Sequence, residues 1–167
     1  DAPALAAAGG DDIRLAWTDV RAREPDGNLF TARSVDGGRS WQPDRQLDLS
    51  RRGFGPDHER PSLQHAVALA KSGERGFAAW QDDRAGNQDI LFAALDDARG
   101  GVALREERVD DTGDGPSNQY RPHLAVAGEG SAARCLLVWE DDRDARMQFY
   151  TAARACPPSR TRSLPVR

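Results

Sequence analysis

The sequence predicts an all-β chain built from about three copies of a unit of four short antiparallel strands. Three observations predict it. First, one run recurs three times in order: Ala16-Trp17-Thr18-Asp19-Val20-Arg21, Ala79-Trp80-Gln81-Asp82-Asp83-Arg84 and Val138-Trp139-Glu140-Asp141-Asp142-Arg143. Self-similarity of this kind marks a stacked repeat architecture. Second, apolar residues come in short runs punctuated by Gly, Pro, Asn and Asp, and no long segment holds a helical period. Third, the strand-like run from Asn28 to Arg33 leads into Ser34-Val35-Asp36-Gly37-Gly38-Arg39-Ser40-Trp41, a sequence in which each named position suits a hairpin turn.

In that turn, Gly37 and Gly38 can take the positive φ that a tight connection between twisted strands requires. The Asp36 carboxylate can accept from the turn's own N–H groups, and Ser34 can do the same from the other side. Ser40 completes the polar set, and Trp41 is read as an apolar plug beneath the turn. Two further markers accompany each Trp run. Ahead of it stand Pro3-Ala4-Leu5, Pro61-Ser62-Leu63 and Pro122-His123-Leu124; after it stand Phe30-Thr31-Ala32, Phe92-Ala93-Ala94 and Tyr150-Thr151-Ala152.

The second copy shows the strand plan. Ser62 to Leu69 and Gly76 to Asp82 form the first two strands, followed by the turn signal Asp83 to Asn87. Ile90 to Leu95 forms the third, Asp96 to Gly101 a turn, and Val102 to Val109 a final strand. Four strands with turn punctuation per copy are the signature of a β-propeller blade. The expected organisation is a first blade over 1–50 with its turn motif at 34–41, a second over 51–112, an incomplete third over 113–156, and a tail over 157–167. The Pro and Arg content of that tail favours disorder, with Arg162 to Val166 as the alternative source of a last strand.

The segment Ser34 to Trp41 closely resembles the Asp-box, the BNR repeat of sialidase-like β-propellers. The three Trp runs, Gly86-Asn87-Gln88-Asp89-Ile90 and Arg108-Val109-Asp110-Asp111-Thr112 resemble the same group, and the likeness covers nearly all of residues 1–155. The motif itself is intact only in the first copy: the second has Asp96-Asp97-Ala98-Arg99-Gly100 in its place, and the third runs into Cys156-Pro157-Pro158. The resemblance implies part of a six-bladed propeller. Closed propellers need about 4 to 8 blades, so three blades imply a longer protein, a pairing of two copies, or completion by a different chain. A homodimer or completion by another chain is the expectation.

Composition excludes several functions. The net charge of −4, with both signs mixed along the chain, gives no phosphate-binding surface, so nucleic acid is not an expected partner. No apolar run approaches a membrane span. Arginine dominates the cations, Lys71 being the one lysine. The chain begins at Asp1 without Met, as a processed secreted protein or a trimmed one would, and a secreted or periplasmic location is expected. Cys135 and Cys156 flank a hairpin whose turn lies near Asp144. They are a disulfide if the protein is exported, or two buried thiols otherwise.

Candidate site residues follow from where a blade's innermost strand meets the propeller axis. Arg60 and Arg121 precede Pro61 and Pro122, with His58 and His123 beside them. Sialidases bind a substrate carboxylate with arginines from different blades, because a guanidinium fork matches a carboxylate. The resemblance therefore makes Arg60, Arg121, His58 and His123 the ligand-binding candidates, though structural ion pairs within the repeat are the favoured reading of the arginines. Retaining sialidases also need a Tyr nucleophile with a carboxylate partner and a separate acid/base. Tyr120 with Glu59 or Asp57 is the only such set, and a thin one. Tyr150 is read as packing. Asp82-Asp83-Arg84 and Asp141-Asp142-Arg143 are carboxylate-rich enough to raise Ca²⁺ as a ligand, but each carries its own countercharge, so internal salt bridges are favoured and no cofactor is expected. The histidines lack zinc spacing. The sequence reading is a non-catalytic Asp-box propeller module of an exported protein that binds a protein or glycan through its loops. The alternative is a sialidase-like exo-glycosidase whose site is completed elsewhere.

Overall fold

A computed structural model describes residues 2–21, 27–48, 62–110 and 115–157. The described chain is all-β, with three antiparallel sheets and two short 3-10 turns, Asp97–Arg99 and Gly130–Ala132. The N-terminal sheet runs β1 (Ala4–Ala7), β2 (Ile13–Asp19), β3 (Asn28–Ser34), β4 (Arg45–Gln46) in that spatial order. The middle sheet runs β5 (Gln64–Ser72), β6 (Arg75–Asp82), β7 (Asp89–Asp96), β8 (Val102–Ala103), with β9 (Glu107–Arg108) also on β7. The C-terminal sheet holds β10 (Gln119–Ala127), β11 (Arg134–Asp141) and β12 (Gln148–Ala155). Apart from β9, which joins β7, strands that follow one another within a sheet are neighbours in space. The three sheets do not close into a barrel or ring among the described residues.

Burial follows from how many faces of each sheet are covered. In β6, seven of eight residues are buried, because sheets pack on both sides of it. Small residues make this possible: Gly76, Ala78 and Ala79 alternate with Phe77 and Trp80, so large side chains on one sheet meet small ones on the next. In β11 burial alternates strictly at first, with Cys135, Leu137, Trp139 and Asp141 inward, the pattern of a strand with one wet face. Two cores result. Ala16, Leu29 and Leu47 pack with Val67, Ala78, Trp80, Ala93 and Leu95 between the first two sheets. Phe77, Ile90 and Phe92 pack with Leu137 and Trp139 between the second and third.

Consecutive sheets are also tied by backbone. The Gln64 N–H donates to the Gly27 carbonyl at 2.7 Å, and the Gln119 N–H donates to the Gln88 carbonyl at 2.8 Å. Gly27 and Gln88 each precede the third strand of their sheet, so the same joint is made twice. The fourth strand is tied in the same repeated way: the Leu29 N–H donates to Asp48 at 2.8 Å and the Ile90 N–H to Asp110 at 3.2 Å.

The register corrects three sequence expectations. Trp17 faces Phe30 and Trp139 faces Tyr150, but Trp80 faces Leu91. Phe92 sits opposite Ala79, on the other face. The true counterpart of Phe30 and Tyr150 is therefore Leu91, one residue before the Phe-Ala-Ala run, and a one-residue slip moves a side chain across the sheet. Likewise His123 pairs with Val138 and Ala68 with Ala79, so Pro122-His123-Leu124 corresponds to Val67-Ala68-Leu69, not to Pro61-Ser62-Leu63. Finally, Val102 to Val109 is not one strand. It divides into β8 and β9, both short and both on β7.

The first strands of the middle and C-terminal sheets share a defect that locates these equivalences. Ala66 and Arg121 have φ of 50° and 49°, and the ladder slips at each, between His65 and Ala68 and between Tyr120 and His123. A bulge with a non-glycine residue at positive φ is uncommon enough that its recurrence identifies one position in two copies.

Candidate functional site

The recurrent Trp run builds the same clamp three times. The indole N–H donates to the carboxylate two residues on: Trp17 to Asp19 at 3.1 Å, Trp80 to Asp82 at 3.1 Å, Trp139 to Asp141 at 3.2 Å. The other carboxylate oxygen accepts the backbone N–H of the arginine: Arg21 at 2.8 Å, Arg84 at 3.0 Å, Arg143 at 2.9 Å. Each guanidinium then returns to the same carboxylate. One Asp thus satisfies an indole, a turn N–H and an arginine at the exit of the second strand. A carboxylate accepting several charged and neutral donors holds its proton weakly. The Arg21 side chain, with Trp17 and the Arg21 N–H, brings Asp19 down to about 2 against the opposing effect of burial. At Asp141 burial pushes upward, but Arg143 and Trp139 outweigh it and the net shift is down. In the first and third copies the guanidinium also lies over the facing ring, Arg21 over Phe30 at 4.0 Å and Arg143 over Tyr150 at 4.1 Å.

The residue after the clamp serves the joint between strands. Asp83 accepts the Leu63 N–H at 2.7 Å and Asp142 accepts the Asn118 N–H at 2.7 Å. The acidic pairs considered for Ca²⁺ are therefore occupied by N–H donors and arginines. Among the described residues no group of three or more His, Cys, Asp or Glu gathers as a cation site.

The turn over Ser34 to Trp41 is a closed hydrogen-bonded unit. Asp36 accepts from the Ser34 hydroxyl at 2.7 Å, the Ser40 N–H at 2.8 Å and the Ser40 hydroxyl at 2.5 Å. Ser34 Oγ accepts the Gly38 N–H at 2.8 Å. The Ser40 hydroxyl, then its N–H and the Ser34 hydroxyl, hold Asp36 at about 2. Gly37 and Gly38 stand at φ 72° and 86°, and a Cβ on Gly37 would meet the Asp11 carboxylate at 2.9 Å. Trp41 lies beside Gly38 but stays 41% exposed, so it caps the turn from outside and does not fill a core beneath it. In the middle sheet the corresponding connection is a different device. Asp96 caps the 3-10 turn by accepting the Ala98 N–H at 3.1 Å, and Asp97 pairs with buried Arg14 across the sheet interface.

The sequence-derived rim residues separate on inspection. Asp57, His58, Glu59 and Arg60 lie outside the described residues. Arg121 does not repeat Arg60 in the register; its counterpart in the middle sheet is Ala66. Arg121 is 72% exposed at its side chain, pairs with Glu140 at 2.8 Å, and donates its backbone N–H to Gln81 at 2.8 Å. His123 is exposed on β10. Tyr120 stands opposite Glu140 in the ladder, but Glu140 is engaged by Arg121. Burial, and then Asp142, push the Tyr120 phenol up, the reverse of what a nucleophile needs. Tyr150 donates to Asp144 at 2.6 Å and stacks with Trp139 at 6.3 Å.

Sequence reasoning missed the polar joint between the middle and C-terminal sheets. His65 lies 3.2 Å from Gln88 and 3.3 Å from Gln81, and Gln81 in turn holds the Arg121 backbone. The signal was present in the repeat, since Gln81 and Glu140 follow Trp80 and Trp139 directly. Beside this joint, Pro116, Ser117, Arg143, Arg146 and Met147 line an open cleft of about 690 Å³. Cys135 and Cys156 form a disulfide with their Cα atoms 5.1 Å apart. No protein-family model, curated protein or solved structure matches the chain.

Proposed function

We propose that the three sheets are blades of an Asp-box β-propeller, part of a six-bladed architecture, and that the chain is a non-catalytic module binding a protein or glycan through its loops. The observation that carries this reading is the clamp. The carboxylates and guanidiniums at the repeated positions are spent on holding turns, with both oxygens of each Asp engaged. Innermost strands β1, β5 and β10 pack in sequence, as blades around an axis do. The loop cleft offers Met147 and Arg146 beside Pro116, and Met and Arg are enriched where proteins meet partners. The Cys135–Cys156 bond favours an oxidising compartment, secreted or periplasmic.

The sialidase-like alternative needs an activated tyrosine and a free arginine set. Tyr120 is pushed toward its neutral form and Arg121 is paired. A fluorogenic sialoside assay tests the choice. No turnover above the buffer blank is expected from the purified chain. Turnover that disappears in Arg121→Ala would replace the binding reading with the enzymatic one.

A further inference from the structure

Each sheet has two unlike faces, and the register shows which residues are equivalent on each. The first face carries Leu15, Trp17, Phe30 and Ala32 in the N-terminal sheet. Its counterparts are Ala78, Trp80, Leu91 and Ala93 in the middle sheet, and Leu137, Trp139, Tyr150 and Ala152 in the C-terminal one. The second face carries Ala16 and Leu29, then Ala79 and Ile90, then Val138 and Phe149. Within the chain, the second face of one sheet packs on the Trp face of the next, and does so twice. Among the described residues, two faces have no sheet packed on them. The Trp face of the N-terminal sheet is covered only in part: Leu5 is 62% exposed and Leu15 and Trp17 are half-buried, while Phe30 and Ala32 are buried within the chain. The C-terminal sheet turns its second face outward, with Leu136 45% and Phe149 77% exposed.

We infer that these two faces dock on each other between two copies of this chain, three sheets from each, in a closed two-fold pair. The inference rests on reading the sheets as equivalent blades. The occupant follows from continuity: the surface that pairs with the Phe149 face is the Trp face, the chain makes that pairing internally at both of its sheet interfaces, and the chain itself carries the unpaired Trp face. A head-to-tail contact that closes after two copies buries both ends at once and leaves no growing end. Exposed apolar faces of this kind are otherwise a liability in water.

Light scattering on the purified 167-residue chain tests the inference. The expected molar mass is about twice 18.2 kDa. Phe149→Glu, and independently Leu136→Glu, should each halve that mass while leaving the far-UV circular dichroism unchanged; both side chains are exposed, so neither substitution burdens the fold of one copy. A monomeric parent chain overturns the docking, as does a parent dimer that survives both substitutions. Open-ended growth with concentration overturns the two-fold closure. The blade reading fails by a different sign, the absence of three equivalently protected Trp indoles. A monomer that keeps all three would sink the docking alone.

Discussion

Asp36 shows how much one carboxylate can do at the surface. Its two oxygens take three donors from Ser34 and Ser40, while its own backbone carbonyl accepts from Arg39 at 3.1 Å. The turn is thereby closed by side chains where a hairpin would ordinarily rely on backbone bonds alone. Asp36→Ala strips three acceptor contacts and leaves the left-handed Gly37 and Gly38 with only their own N–H bonds to Asp11 and Ser34. We expect the melting temperature to fall by several degrees, with Asp36→Asn intermediate because one oxygen remains. A thermal melt of the alanine variant that superimposes on the parent would show that the hydrogen bonds do not hold the turn. The same scale explains Gly101. A Cβ there would collide with the guanidinium of Arg14, which is buried between two sheets and paired with Asp97.

At the scale of the element, carboxylates engaged in clamps, turns and ion pairs make the sheets sensitive to acid. Asp12, Asp19 and Asp36 each sit at about 2 in the folded chain, from an ordinary value of 3.8, and Asp141 is shifted the same way. At Asp12 burial raises the value, and Arg33 and Lys71 more than offset it. A carboxyl whose folded value is depressed contributes stability that is fully present above its unfolded value and is lost as pH falls through the folded one. The melting temperature should therefore be level from neutral pH down to about 5 and drop steeply between about 4 and 2. A decline that begins above pH 5, followed by circular dichroism, would contradict this assignment. The disulfide acts on the same element from the other side. It closes a 21-residue separation between β11 and the end of β12, a constraint on the unfolded chain of about 3 kcal/mol. The C-terminal sheet is also where no fourth strand is present among the described residues.

How much of each element the sequence disclosed depended on side-chain size. Trp17, Trp80 and Trp139 are large, rare and followed by two charged or turn-forming positions, so the second strand of each sheet was legible. Strands β5 and β10 are Ala-rich and carry a bulge at Ala66 and Arg121, and one extra residue with few distinctive neighbours leaves the register undetermined in the sequence. That is why the sequence aligns Pro61 with Pro122 although Val67 holds the place. Phe92 misled for a related reason: an aromatic on either face of a doubly covered strand is equally buried, so burial does not reveal which face it occupies. Rim residues depend on which loops converge, and that information is spread over positions far apart in the chain, as the contact of Gln81 with Arg121 shows.

For the molecule as a whole, one device is used three times, and its repetition gives the sheets their common geometry. Each strand exit is fixed by a Trp, an Asp and an Arg acting together, each joint between sheets by a backbone bond to the residue before the third strand, and each interface by a Trp face meeting the opposite face of the preceding sheet. A molecule organised this way has the charged groups of its repeated positions committed to architecture and its loops free to differ. The most direct measurement of this account is the hydrogen-exchange rate of the indole N–H groups of the four tryptophans by nuclear magnetic resonance. Trp17, Trp80 and Trp139 donate to Asp and should exchange slowly, whereas Trp41, exposed and without a partner for its N–H among the described residues, should exchange near the free rate. Three slow indoles and one fast would establish the repeated clamp in solution. Fast exchange at two or more of the three, or protection of Trp41, would contradict it.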